Sequence, residues 1–169
     1  MYRLYYAPGA ASMLVHWLLV ELDLPHERVL VDTAAGEQKS APYLALNPNG
    51  VVPTLVVDGA PRHEAAALAM LLAERHPAAG LAPSAGDALR ADYLQWMFNL
   101  ANMVQPLFRQ WWYPHEPAGD AQAGAVREHC AIRIAAPSVS PQRPEVPTGA
   151  PAATASSARR VLGPRRSSE

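Results

Sequence analysis

The stretch of the chain that decides its fold reads Asn47-Pro48-Asn49-Gly50-Val51-Val52-Pro53-Thr54-Leu55-Val56-Val57. It places a proline at the start of a run that is otherwise typical of a buried strand. Proline has no N–H to donate, so a strand tolerates it at the first residue. Because Pro53 holds the preceding residue extended, the main-chain N–H and C=O of Val52 are predicted to be free. A peptide-like ligand can dock there as an extra strand, and an ordinary loop-to-strand junction is the alternative.

The size and charge of the chain favour a small-molecule partner. Its 169 residues suffice for one domain or two small ones, and half of them are hydrophobic, enough to build a core. The formal net charge of -1 gives no general attraction to nucleic acid or to an anionic membrane. We therefore expect neither a nucleic-acid nor a membrane partner.

The cysteine and histidine content indicates a protein without disulfides or a metal. Cys130 is the only cysteine, which favours a reducing compartment, and we expect a cytoplasmic location. The apolar run from Met13 to Val20 is too short to span a bilayer and is followed by Glu21 and Asp23, so it predicts a buried amphipathic helix. The six histidines are scattered without ligand spacing, and no metal site is predicted.

Periodicity and turn signals divide the first 76 residues into a βαβ unit followed by a ββα unit. A helical connection between the first two strands predicts that they are parallel, and Asp58-Gly59 is a strong hairpin signal. The predicted elements are a strand over 2–6, a helix over 13–22, strands over 27–31 and 54–57, a partner strand beginning at Arg62-His63, and a helix from Glu64 to His76. The predicted fold class is therefore α/β, with a four-stranded mixed sheet.

The rest of the chain changes character twice. Residues 77–86 are a linker by composition, and residues 87–135 carry a long helix that Pro106 kinks or ends, followed by a weaker helix over 118–135. Residues 136–169 are rich in proline, serine and arginine, and we expect this tail to be disordered. Because aromatic residues and helical period are lost together, we interpret the tail as a shifted reading frame or a foreign ending. The predicted domains are 1–76 and 87–135, the second incomplete.

Three motifs in this order resemble bacterial glutathione transferases: Leu4-Tyr5-Tyr6-Ala7-Pro8-Gly9-Ala10-Ala11-Ser12, the stretch from Asn47 to Leu55, and the Glu64 that opens a helix. The resemblance covers residues 1–117 and fades by residue 135. It implies a thioredoxin-like N-terminal domain followed by an all-helical domain that is here truncated or frameshifted. Glutathione is the implied co-substrate.

The resemblance also implies how glutathione is held. Pro53 corresponds to the cis-proline that begins the third strand, and Val52 would bond the cysteinyl backbone through its main chain. Glu64 would receive the γ-glutamyl ammonium in a charge-assisted contact. Ala65 stands where many relatives have serine or threonine, so only its main-chain N–H can contribute to binding the γ-glutamyl end. Gln38 and Lys39 would meet the glycyl carboxylate, or else are solvated loop residues.

Ser12 is the residue that the resemblance places at the chemistry. A free thiol has a pKa of about 8.5, and the thiolate is the nucleophile, so a hydroxyl donor at the start of a helix would favour the reactive form. The beta class has a cysteine at the position of Ala11, which argues here against mixed-disulfide chemistry. Tyr5 and Tyr6 are rival candidates, interpreted as packing residues. A simple role for Ser12 at the helix start is the alternative.

An acceptor pocket is expected on the first long helix of the helical domain. Met97, Ala101, Val104, Gln105 and Phe108 are spaced to share one face, although such stripes are also typical of a core. Trp111, Trp112 and Tyr113 could close the pocket.

Together these features predict a glutathione transferase that conjugates the thiolate to a small electrophile. Isomerase and peroxidase chemistry at the same site stay open. The alternative is a non-catalytic glutathione-binding remnant. A homodimer is expected if the helical domain is sufficient to form one.

Overall fold

The computed structural model describes residues 1–136 of the chain. The expected disordered tail and its interpretation as a frameshift fall, from residue 137 on, outside the described residues and stay predictions. The predicted domain boundaries likewise stay predictions.

The sheet has four strands in the order β2-β1-β3-β4. β1 is parallel to β2, whereas β3 is antiparallel to both β1 and β4. The strands are β1 (Tyr2–Tyr6), β2 (His26–Leu30), β3 (Thr54–Val57) and β4 (Ala60–Arg62). The predicted four-stranded mixed sheet is confirmed.

Two helices cover one face of this sheet and bury the core. α1 (Ser12–Glu21) connects the two parallel strands, and α3 (Ala65–Arg75) follows the hairpin. Side chains recurring at three- and four-residue steps on these helices meet alternate side chains of the central strands. The fully buried large members are Leu4, Val15, Leu19, Leu55, Leu68 and Leu72. Each such burial contributes about 1.5–3 kcal/mol, so this layer stabilises the fold more than any surface ion pair.

The hairpin between β3 and β4 is a tight turn, as the sequence predicts. Asp58 and Gly59 have φ values of 53° and 78°, the positive pair that a type I′ turn requires. The predicted start of the partner strand was wrong: β4 begins at Ala60, because a two-residue turn returns the chain directly into the ladder.

Between β2 and β3 lie a 3-10 turn and one short helix. The 3-10 turn spans Glu37–Lys39, and α2 spans Ala41–Leu44. Asp32 organises the approach to this turn, since its carboxylate accepts from the amides of Ala34 and Ala35 at 3.0 and 2.9 Å. The predicted loop with a short helix is therefore present.

The helical part does not end at Pro106. α4 (Arg90–Asn99) leads into a π-helical turn at Leu100–Val104 and then into α5 (Gln105–Trp112). Pro106 lies at the start of α5, where its missing N–H costs little, and the wider turn before it keeps the chain helical. The expected helix over 118–135 is divided by Gly119, whose φ is 76°. Its parts are α6 (His115–Ala118), a 3-10 turn (Asp120–Gln122) and α7 (Ala123–Ala135).

Polar contacts tie the start of α4 back to α3. Arg90 donates from Nη2 to Glu74 Oε1 at 2.6 Å and from Nη1 to the carbonyl of Pro83 at 3.1 Å. Further along, α7 packs on α5, where Cys130 is fully buried with its Sγ 3.7 Å from Gln110 Oε1. No helix among residues 1–136 has both the length and the apolar character needed to cross a bilayer.

Acidification is expected to weaken the fold through His16. Burial, followed by the charges of Arg28 and His26, lowers the pKa of His16 below its ordinary value of 6.5. Its ring faces Tyr6 at 6.2 Å and His26 at 5.5 Å between centroids. Protonation therefore favours the unfolded chain, and the stability present above about pH 6.5 is lost as the pH falls through the lower, folded-state pKa.

The free energy of unfolding, measured with urea at about pH 7.5 and about pH 5.5, should fall less on acidification in His16→Gln than in the wild-type chain. His129→Gln, at an exposed histidine, is the control and should retain the wild-type difference. An equal loss in all three proteins would contradict this assignment.

Candidate functional site

Sheet topology gathers the predicted glutathione-binding segments at one end of the sheet. β3 runs opposite to β1, with Thr54 paired to Tyr5, so the residues before β3 lie beside the end of β1. β4 runs opposite to β3 and therefore parallel to β1, so β1 and β4 both end at this end. Because α1 follows β1 and α3 follows β4, the starts of both helices meet the segment that precedes β3.

The Val52-Pro53 peptide bond is cis, as the resemblance implies. Pro53 is buried, whereas Val52 is partly exposed and lies just outside the ladder that begins at Thr54. Among the described residues, no hydrogen bond uses the main-chain N–H or C=O of Val52. We refer to these two groups as the Val52 edge. An unpaired donor and acceptor on extended backbone can bind another peptide unit as an added strand.

Gln38 and Lys39 lie beside this segment because Gly50 allows a close approach. Lys39 Nζ donates to the carbonyl of Asn49 at 3.2 Å. A Cβ at Gly50 would lie 2.8 Å from Lys39 Nζ and 2.9 Å from the Gln38 carbonyl, and Gly50 has a φ of 58°. The Gln38 side chain donates to the carbonyl of Thr33 at 3.4 Å, and its Oε1 has no partner within residues 1–136.

Glu64 has a backbone conformation that the sequence does not reveal. Its φ of 69° and ψ of 105° place a non-glycine residue in the sparsely populated positive-φ region immediately before α3. Such a conformation costs about 1–3 kcal/mol and typically persists at ligand sites. Its exposed carboxylate makes no ion pair or hydrogen bond within the described part of the chain. Ala65 follows it as the buried first residue of α3.

Ser12 is fully buried, and its hydroxyl is already engaged. Ser12 Oγ accepts from the amide of Ala7 at 3.2 Å and donates to the carbonyl of Ala7 at 3.0 Å. A serine hydroxyl has a single proton, so donation to a thiolate requires the bond to the Ala7 carbonyl to break. This geometry favours the alternative role, in which Ser12 ties the start of α1 to the end of β1.

The two rival tyrosines lie in packing positions. Tyr5 contacts Tyr43 edge-on, with 5.9 Å between ring centroids. Tyr6 packs against the core, and the guanidinium of Arg28 lies 5.9 Å from its ring centroid. Both observations agree with the interpretation of Tyr5 and Tyr6 as packing residues.

A groove of about 360 Å³ separates α1 and α3 from α4, the π turn and α5. Its wall on the helical side includes Met97, Ala101, Val104, Gln105 and Phe108, so the face predicted from spacing lines one cavity. Leu14 and Ala66, each two residues beyond a predicted site residue, line the opposite wall. Trp111, Trp112 and Tyr113 are absent from the lining of this groove, and their role at the pocket stays a prediction.

Chemically, these elements provide a peptide-binding edge, a nearby carboxylate and an apolar groove. Within residues 1–136, no group of three or more histidine, cysteine, aspartate or glutamate side chains could hold a metal ion. The strain at Glu64 and the engaged hydroxyl of Ser12 are the features that sequence reasoning missed. Residue type alone carries no signal for either one.

Comparison with known proteins agrees with this arrangement. Residues 11–75 match the family model described as "Glutathione S-transferase, N-terminal domain". Glutathione S-transferase GST-4.5 of Xanthomonas campestris is 37% identical over 107 residues, which cover 63% of this chain and 52% of that protein. Residues 11–75 of the chain are thus similar to the N-terminal domain of glutathione transferases. The resemblance to bacterial glutathione transferases and the thioredoxin-like fold are thereby confirmed.

Solved glutathione transferase structures share the fold beyond this domain. A Sulfitobacter glutathione transferase homologue with bound glutathione superposes with a TM-score of 0.71 at 29% identity, over 80% of this chain and 65% of that one. A sphingomonad glutathione S-transferase complexed with glutathione gives a TM-score of 0.66 at 30% identity, over 78% and 64% of the two chains. The chain thus spans about half the length of the Xanthomonas glutathione transferase and about two thirds of these structures.

Gly50→Ala tests whether the close approach of the Gln38–Lys39 turn supports the site. The new Cβ meets the Gln38 carbonyl and Lys39 Nζ, so we expect a loss of about 2–4 kcal/mol in the free energy of unfolding. Gly59→Ala is the matched control: its φ is 78°, but nothing lies within 4 Å of its Cβ, so about 1–2 kcal/mol of backbone strain is expected alone. Equal losses, measured by urea unfolding, would show that the contact at Gly50 is unimportant.

Proposed function

We propose that this chain is a glutathione transferase that binds glutathione along the Val52 edge and presents its thiolate to a small electrophile. The observation that carries the proposal is the shared position of an unpaired peptide edge and the unpaired, strained Glu64 at one end of the sheet. The bound glutathione in the Sulfitobacter and sphingomonad structures supports it.

Each part of the tripeptide has a chemically suitable partner in this proposal. The Val52 edge takes the cysteinyl N–H and C=O, as an added strand would. The Glu64 carboxylate takes the γ-glutamyl ammonium, assisted by the N–H of Ala65, and its strained backbone holds it before α3. At the other end, the ammonium of Lys39 and the amide of Gln38 take the glycyl carboxylate.

Activation of the thiol is assigned to the start of α1. We keep Ser12 as the proposed donor because it is the only hydroxyl in the segment from Ala7 to Ser12. The Ser12 hydroxyl must then turn so that it donates its hydrogen bond to the sulfur and no longer to the Ala7 carbonyl. The partial positive charge of the helix start also favours the anion. The thiol proton would pass to water, and the thiolate would attack the electrophile, forming a carbon–sulfur bond while the leaving group departs with its bonding electron pair or, in an addition, the displaced double-bond electrons take a proton from water.

The groove is the proposed acceptor site. Its lining is almost entirely aliphatic and aromatic, with Gln105 and Tyr93 as the polar exceptions, which suits an apolar electrophile carrying at most one or two hydrogen-bonding groups. Met97, Ala101, Gln105 and Phe108 would contact it. A homodimer and a cytoplasmic location complete the proposal.

A non-catalytic glutathione-binding protein is the second candidate. The engaged hydroxyl of Ser12 favours it, because the loop of Pro8, Gly9, Ala10 and Ala11 has no other hydroxyl or thiol to stabilise a thiolate. In this case glutathione binds but no electrophile is turned over.

Calorimetric titration with glutathione tests the binding site and the role of Ser12. Glu64→Gln should weaken binding at least about tenfold, because a charge-assisted contact becomes a neutral one. Ser12→Ala should retain binding but lose the thiolate absorbance of bound glutathione if the hydroxyl is the donor. Unchanged absorbance would remove Ser12 from the chemistry, and an absence of binding by the wild-type chain would refute the proposal.

Filling the groove tests the acceptor site. Ala101→Leu should raise the KM for an apolar electrophile about tenfold while glutathione affinity stays unchanged, since the added carbons occupy acceptor space only. Ala91→Leu, at an exposed position of α4, is the control. Steady-state kinetics with the same electrophile would contradict the assignment if both variants behaved like wild type.

A further inference from the structure

A buried polar cluster lies directly beneath the Val52 edge. It consists of Tyr43, Asn47 and Thr54, which are 5%, 0% and 0% exposed. Their polar groups are buried in a core that is mostly apolar, and burial without partners would be costly. None of the roles assigned above uses them.

The cluster converges on one carbonyl, that of Val51. Tyr43 Oη donates to it at 2.9 Å, and Asn47 Nδ2 donates to it at 2.7 Å. Since the phenol has a single proton, the 3.0 Å contact between Tyr43 Oη and Thr54 Oγ1 is a bond that Thr54 donates. Asn47 Oδ1 also accepts from the amide of Asn49 at 3.1 Å. The loop over residues 47–53 is thus held by Tyr43 of α2 and by Asn47, its own first residue, and Thr54 of β3 holds Tyr43 in place.

The two hydrogen bonds to the Val51 carbonyl determine the direction in which the Val52 carbonyl points. Val52 is extended because a proline follows it, and in extended backbone successive carbonyls point to opposite sides. A Val51 carbonyl drawn inward by two donors therefore turns the Val52 carbonyl outward. Burial raises the pKa of Tyr43 above its ordinary value, so the phenol stays protonated and remains a donor.

We propose that Tyr43 and Asn47 are positioning residues that orient the Val52 edge for an extended peptide ligand by anchoring the Val51 carbonyl. The inference rests on the proposed function, since glutathione is the ligand to be oriented. Thr54 supports Tyr43 from the first residue of β3. The buried cluster would therefore influence ligand binding at the Val52 edge without contacting the ligand itself.

The test measures binding of S-methylglutathione, which lacks a free thiol and so separates positioning from activation. Tyr43→Phe should weaken binding about tenfold, because one of two anchors is lost while the ring remains. Thr54→Val, which removes only the supporting donor, should give a smaller loss. Leu72→Val, a change in the aliphatic core cluster to which none of these residues belongs, is the control and should leave affinity unchanged at a comparable loss of stability.

Amide hydrogen exchange supplies a second readout that requires no ligand. In Tyr43→Phe the amides of Asn49 and Gly50, which bond to Asn47, should exchange faster than in Leu72→Val. If the wild-type protein does not bind S-methylglutathione, the proposed function fails. The hydrogen-exchange rates then decide by themselves whether Tyr43 anchors the Val51 carbonyl. The inference would be overturned if Tyr43→Phe had the same affinity and the same exchange rates as the wild-type protein. It would also be overturned if Leu72→Val changed both quantities as much as Tyr43→Phe does.

Discussion

The antiparallel pairing of β3 with β1 is the constraint on which the candidate site depends. It places the start of β3, and with it Pro53 and Val52, beside the end of β1. The hairpin to β4 then reverses the chain once more, so that α3 starts at this same end. Had β3 been parallel to β1, the Val52 edge and Glu64 would lie together at the end of the sheet opposite to Ser12, because the β3–β4 hairpin keeps the start of β3 beside the end of β4.

This topology is maintained by an aliphatic layer on one side and by a polar cluster at one end. Leu4 and Leu55 from the central strands pack with Leu19 and Leu72 from the helices, and this burial supplies most of the stabilisation. The cluster around the Val51 carbonyl contributes direction more than energy, because hydrogen bonds are directional and burial is not. A ligand site made of main chain needs both kinds of interaction.

The helical half contributes a surface that the sheet cannot provide. The π turn before Pro106 keeps α4 and α5 continuous enough for Met97 and Phe108 to line the same groove. Across that groove, α1 and α3 present small and aliphatic side chains that start close to Ser12 and Glu64. In the proposed function, an apolar acceptor and a polar tripeptide would bind to adjoining surfaces of opposite character.

The sequence by itself determined the elements and the family resemblance. The strand over 2–6, the helical spacing in α1 and α3, and the turn pair Asp58-Gly59 depend on local preferences that residue types carry. It also predicted the helix face that lines the groove. Tertiary structure alone decided that the Ser12 hydroxyl bonds to Ala7, that Glu64 adopts a positive φ, and that Tyr43 and Asn47 meet at the Val51 carbonyl. These depend on which atoms the folded chain brings within hydrogen-bond distance, and no local pattern encodes that.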